Sequence, residues 1–134
     1  MPIVRIDVLE GWTPGDLELV GAAVQRALIE TLGVPERDRF QVISEHPAER
    51  FVFDRSYLEI ARSDRFILVQ VTLSAGRTTQ VKQAFYARLC ELLVRDVGLR
   101  EEDLAVCLVE NNREDWSFGR GQASYLVIPK EDWR

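Results

Sequence analysis

The chain has little of the residues that most often carry recognisable chemistry. Cys90 and Cys107 are its two cysteines in 134 residues, and they show no CxxC spacing. A disulfide framework is excluded on that count, and both thiols read as buried and inert. His46 is the single histidine, which leaves no histidine metal cluster and no serine–histidine triad within one subunit. No apolar run approaches the ~20 residues that span a bilayer. Asp7 and Glu10 lie where a signal peptide would be free of acidic residues, so a cytoplasmic protein is expected. There is no basic run, and the net charge is −5. That balance speaks against nucleic acid or an anionic membrane as partner, yet it leaves room for an anionic small molecule in a locally basic pocket. The GRG at 119 to 121 matches no phosphate-binding loop.

What is present fits one globular domain, residues 1 to 134, with 46% apolar residues and enough length for a real core. PIVRIDVLE, residues 2 to 10, alternates Val4, Ile6 and Val8 against Arg5 and Asp7, which is strand periodicity. Gly11 turns the chain. Thr13-Pro14-Gly15-Asp16 reads as a helix start, with Thr13 as cap and Pro14 at the first helical position. Leu17, Val20, Val24, Leu28 and Leu32 then form one apolar face, and Gly33 closes the helix. Residues 39 to 45 read as a strand. A very short edge strand is expected at 51 to 53, and a turn or short helix at 56 to 60. Residues 65 to 73 are apolar at nearly every position, as in a central strand covered on both faces. Thr78 or Thr79 can cap a second helix, with Val81, Phe85, Leu89, Leu92 or Leu93, and Val97 inward and Gly98 at its end. Residues 103 to 110 form the next strand. The turn-rich NNREDWSFGRGQ follows, and ASYLVIP reads as a final strand.

The pattern repeats. Gly33 and Gly98 stand 65 residues apart, as do Asp38 and Asp103. Each half is strand, helix, strand, and a right-handed crossover leaves its two strands parallel. Two abutting units make an α+β (α/β) fold: a four-stranded mixed sheet, two helices on one face, and a short C-terminal hairpin or strand. The other sheet face still carries apolar residues, and self-association into a ring or dimer is the simplest cover.

Four places can carry chemistry. Removal of Met1 would leave Pro2 as a secondary amine fixed to the start of a strand. Such an amine can shuttle a proton or add to a carbonyl, and its pKa decides which. Cations and desolvation lower that pKa; a carboxylate raises it. Arg77 follows a strand and a glycine turn and precedes a helix. If strands one and three run antiparallel, it comes near Pro2, with a guanidinium fork suited to a carboxylate. Asp38, in the loop before the second strand, can orient a water or hold Pro2 protonated. Trp116, Phe118 and Tyr125 form an aromatic group beside Gly119 and Gly121, on what reads as a glycine-rich hairpin. That group serves as a pocket wall or as oligomer contact. Taken singly, each has a plainer reading: a tolerated first residue, a surface arginine, a turn aspartate, a contact patch.

PIVRIDVLEG at the start, DRFQ at 38 to 41, GRTTQVKQAFY at 76 to 86 and DWSFGRGQA at 115 to 123 together resemble the tautomerase superfamily, in its malonate semialdehyde decarboxylase branch. The resemblance implies a homotrimer of β-α-β repeats with no metal or organic cofactor, acting on small oxo acids or unsaturated acids through its amino-terminal proline. Pro2 matches the catalytic proline, Asp38 the active-site aspartate, and Arg77 the second of two active-site arginines. Trp116, Phe118 and Tyr125 match the hydrophobic wall around the substrate. The first arginine is replaced by Ala75, and Arg62, Arg65 or an arginine of a neighbouring subunit is the expected substitute. Decarboxylation of a 3-oxo acid such as malonate semialdehyde is the activity implied. The alternatives are keto-enol tautomerisation of 2-oxo acids, hydration or dehalogenation of unsaturated acids, and a trimeric binding protein without catalysis.

Overall fold

The structure is a computed structural model that describes residues 2–134. Strand β1 (Pro2–Leu9) leads into helix α1 (Pro14–Leu32), then β2 (Gln41–His46), β3 (Ile67–Ser74), α2 (Thr79–Val97) and β4 (Leu104–Asn111). The sheet order is β2-β1-β3-β4. β1 and β2 are parallel, β3 and β4 are parallel, and β1 and β3 join the halves antiparallel. Two βαβ units therefore abut as the repeat implied.

The repeat extends to single residues. Thr13 Oγ1 accepts from the amide of Asp16, and Thr78 Oγ1 from the amide of Val81. Each threonine thus satisfies one amide that the first helical turn leaves open. Gly33 and Gly98 end the helices at φ 68° and 65°, in the left-handed region where a glycine avoids the Cβ penalty. Val20, Val24 and Leu28 from α1 meet Phe85, Leu89, Leu92 and Leu93 from α2 over the inward row of β1 and β3, namely Val4, Ile6, Val8, Ile67, Val69, Val71 and Leu73. Each large side chain buried there contributes roughly 1.5–3 kcal/mol of transfer free energy.

The outer face departs from the expectation for β3. Its inward row is fully buried, but Leu68 and Thr72 are half-buried and Gln70 is exposed. The strand is central and still covered on one face only, because both helices use the same side. Cys107 is also a correction. It projects from the outer face of β4, opposite Gln70, and is exposed, while Cys90 on α2 is only half-buried.

Two expected strands are absent. Residues 51 to 53 pair with nothing; Phe51, Phe53 and Phe66 instead stack on one another, with centroids 4.5–5.9 Å apart. The final strand is a short helix, α3 (Ser124–Val127). Its backbone closes local bonds, Leu126 N to Ala123 O and Ile128 N to Ser124 O, each 2.9 Å. The segment before it is no hairpin either: Ser124 Oγ accepts from Phe118 N at 2.8 Å, and Ser124 N donates to Trp116 O at 3.2 Å. A segment whose amides are satisfied this way has no need of a sheet edge.

Candidate active site

Strand directions decide where the site falls. β1 begins, β2 begins, β3 ends and β4 ends at one edge of the sheet. Pro2 lies opposite Leu73 in the β1–β3 register. Val4 is level with Gln41, and its amide donates to Phe40 O at 2.9 Å. That register, run back toward the chain start, brings Asp38 and Arg39 level with the start of β1. On the other side Ser74 is level with Asn111, and the amide of Ala75 donates to Asn111 O at 2.7 Å. The loops that leave β3 and β4 therefore start side by side, next to Pro2.

A cavity of about 600 Å³ opens at this edge. Asp38, Arg77, Phe118 and Tyr125 line it together with Phe40, Ser74 and Ala75; Arg113 and the C-terminal Trp133 complete one side. Four of the six residues singled out in the sequence thus share one wall. Pro2 is buried at the first position of β1, level with Leu73, and is not on the lining. Trp116 is not on the lining either. It is 5% exposed and stacks behind Phe118, centroids 5.3 Å apart and planes within 6°. Its Nε1 donates to Asn111 Oδ1 at 2.8 Å and to Ser74 Oγ at 3.1 Å. Trp116 thereby ties the ends of β3 and β4 together and backs the wall.

Asp38 is buried in a turn closed by its own amide on Pro35 O, while its carbonyl accepts from the buried Gln25 Nε2 at 3.2 Å. Burial raises its carboxyl above the ordinary carboxylate range, with positive charge, that of Arg77 included, acting the other way. Arg77 is held at the strand end by Nη1 donating to Ser74 O at 2.9 Å. Tyr125 is wedged between rings, edge-on to Phe118 at 5.6 Å and to Trp133 at 4.6 Å. Its hydroxyl is buried without a hydrogen-bond partner among the described residues. Burial first, and then the negative charge of Asp38, push its pKa far above the usual tyrosine range, so it stays protonated. The hydrophobic wall implied by the resemblance thus carries one unsatisfied O–H.

Arg62 and Arg65 do not stand in for the charge missing at Ala75. Arg62 Nη1 donates to the carbonyls of Asp54, Tyr57 and Ile60. The Arg65 guanidinium lies 3.7 Å from the ring centre of Trp12. Both sit near the start of β3, at the opposite end of the sheet. Besides Arg77, the basic residues on the cavity lining are Arg37, from the loop between α1 and β2, and Arg113, Lys130 and Arg134, all after β4. The strand and helix pattern carried no signal for them beyond the turn-rich NNRED run.

A family model described as "Tautomerase enzyme" matches residues 38–119, and a second of the same description matches residues 2–59. A Bacillus subtilis protein described as a probable tautomerase, YusQ, is 36% identical over 126 residues, covering 94% of this chain and 99% of its own. The chain belongs to the tautomerase superfamily. It is an enzyme of the malonate semialdehyde decarboxylase-like branch. The solved structure of malonate semialdehyde decarboxylase, a protein described with decarboxylase and hydratase activities, superposes with a TM-score of 0.87 at 35% identity, over 92% of this chain and 95% of that one. A symmetric trimer of fused 4-OT shares the fold at 21% identity, with a TM-score of 0.76 over 93% of this chain and 98% of its own. The duplicated βαβ sheet of this tautomerase is thus the scaffold of the superfamily, and its cavity lies where the strand register delivers Asp38 and Arg77.

Proposed function

We propose that this tautomerase decarboxylates a small 3-oxo acid such as malonate semialdehyde, using Pro2 as its amino-terminal residue once Met1 is removed. The observation that carries the reading is the convergence of Asp38, Arg77 and an aromatic wall on the sheet edge where β1 starts. Arg77 holds the substrate by its carboxylate or polarises its carbonyl. Protonated Pro2, steadied by Asp38, polarises the 3-oxo group. The electrons of the breaking carbon–carbon bond pass into the enolate, and neutral carbon dioxide leaves. Phe118 and Tyr125 keep water from the carboxylate, which favours its loss as a neutral gas. Pro2 or water then returns a proton to carbon. No metal or organic cofactor takes part. In this reading the single domain of residues 1 to 134, trimmed of Met1, works as a cytoplasmic homotrimer.

Ala75 favours a second reading, keto-enol tautomerisation of a 2-oxo acid. With no guanidinium there, carboxylate binding beside Pro2 is weaker and proton transfer alone is the lesser demand. The two readings differ in the charge of one nitrogen. Intact-mass measurement establishes the free amine, and pH–rate profiles on malonate semialdehyde and phenylenolpyruvate then separate them. Activity that falls as the amine deprotonates supports decarboxylation, and activity that rises supports the tautomerase. Pro2→Ala is expected to lower kcat/KM by roughly 10²-fold or more with the oligomer intact. An unchanged rate removes the proline mechanism.

A further inference from the structure

We propose that Arg113, in the loop after β4, is a substrate-carboxylate-binding residue of this cavity, held in place by Trp133. Resting on the reading of the cavity as an oxo-acid site, the inference adds the group that fixes the acid's orientation.

The chain path makes the placement unavoidable. β3 and β4 are parallel, in the register Ser74 to Asn111, so the segments that leave them run side by side. Arg77 is three residues past Ser74; Arg113 is two past Asn111. Between them sits Ala75, whose amide is bonded to Asn111 O and whose side chain brings no charge. The loop that carries Arg113 is short and fastened: the Asn112 amide donates to Asp115 Oδ2 at 2.7 Å, and the Asp115 amide to Asn112 O at 3.0 Å. A one-turn helix (Arg113–Asp115) follows directly.

The side chain is positioned as well as the backbone. The Arg113 guanidinium lies 5.2 Å from the ring centre of Trp133, which is packed edge-on to Tyr125. Stacking of this kind orients a guanidinium and leaves its N–H edge free for an anion. Arg113 has no carboxylate within 4 Å among the described residues, whereas Arg55 and Arg95 each have one and Arg88 and Arg100 each have two. Its charge reaches into the site, since it pulls on the titration of the Tyr125 hydroxyl in the same sense as Arg77. A cation stacked at a cavity wall, with no ion pair among the described residues and lining the same cavity as the Tyr125 side chain, is arranged for an anionic guest. Arg77 and Arg113 then hold one carboxylate from two sides, or two acidic groups of a dicarboxylic substrate.

Malonate, which cannot react, is a direct probe. It should bind the mature protein at neutral pH by calorimetry or NMR titration more tightly than acetate does. Arg113→Ala should weaken malonate binding about tenfold or more, the loss expected for one charge-assisted contact at a partly exposed site. Arg113→Lys, which keeps the charge without the fork, should recover only part of it. Arg50→Ala removes the same charge from an exposed position outside the cavity and should leave binding within twofold. Malonate binding by Arg113→Ala within twofold of the unmodified protein overturns the proposal, and so does equal loss in Arg50→Ala. Turnover on malonate semialdehyde and phenylenolpyruvate is read separately. An inactive enzyme that still binds malonate through Arg113 defeats the decarboxylase reading and keeps the clamp; an active one indifferent to Arg113 does the reverse.

Discussion

At the scale of residues, the two aspartates 65 positions apart show how a duplicated pattern diverges. Asp38 and Asp103 occupy the same place in each half, at the end of a turn and before a strand. Asp103 is fully buried and spends its carboxylate on structure, accepting from Ser63 N at 2.7 Å and Ser63 Oγ at 2.6 Å. Asp38 is buried at the cavity, where the same carboxylate is raised above its ordinary range by desolvation. The consequence for stability has a definite sign. A carboxyl whose folded pKa lies above its unfolded value favours the fold at low pH, and that favour is lost as pH rises through the folded value. Asp38→Asn should therefore raise the thermal midpoint at neutral pH and lower activity, with the gain disappearing below about pH 4, the unfolded carboxyl range. Thermal melts of both proteins across pH 3–8 check this; a midpoint at pH 7 that falls on substitution contradicts it.

At the scale of elements, the loops rather than the strands hold what distinguishes the two ends of the sheet. Gly11 and Gly76, again 65 apart, follow β1 and β3 with φ 119° and 125°. The residue after Gly76 is Arg77, at the cavity; the residue after Gly11 is Trp12, buried under the Arg65 guanidinium. One turn presents a cation to substrate, and its counterpart closes a core. The Asp103–Ser63 contact fastens the irregular segment before β3 to the start of β4. Asp103→Ala leaves the Ser63 donors partly buried without an acceptor, and it should cost about 2–3 kcal/mol of unfolding free energy in urea. A loss below about 0.5 kcal/mol, the usual range for an indifferent surface site, would show that the segment holds without it. Catalysis should be little affected, because this contact lies at the far end of the sheet from Arg77.

For the whole molecule, the outer face of the sheet is the open question that assembly answers. Ile3, Val42 and Val109 lie there with 40–45% of their surface exposed, and Cys107 sits among them. A trimer that covers this face should shield the Cys107 thiol. Alkylation is then expected to be slow at concentrations where light scattering reports the trimer, and faster in Val42→Lys, which places a charge on the same face. Cys90 should react slowly in both, since burial first, and then nearby glutamates, raise its pKa. Rapid labelling of Cys107 in the intact trimer would place the interface elsewhere. Leu126, Val127 and Ile128, exposed on the short helix α3, are the next surface to test.

The sequence by itself determined the four strands and two long helices of the repeat and their order. Caps, closing glycines and apolar periodicity are local signals, and the 65-residue repeat carried them twice, so two parallel βαβ units followed almost of necessity. It also brought Asp38 and Arg77 to one edge of the sheet, because each is attached within three residues to a strand end that the repeat fixes. Tertiary structure decided what no local signal encodes. ASYLVIP has the composition of a strand, and became a helical turn because Ser124 and the preceding loop satisfied its amides first. Trp116 has the look of a wall, and became the brace behind one because Ser74 and Asn111 offered its indole a partner. Arg113 and Trp133 reached the cavity only through the register of β3 on β4 and the fold-back of the tail. Contacts between residues distant in the chain depend on how the strands align, and strand alignment is a property of the packed sheet.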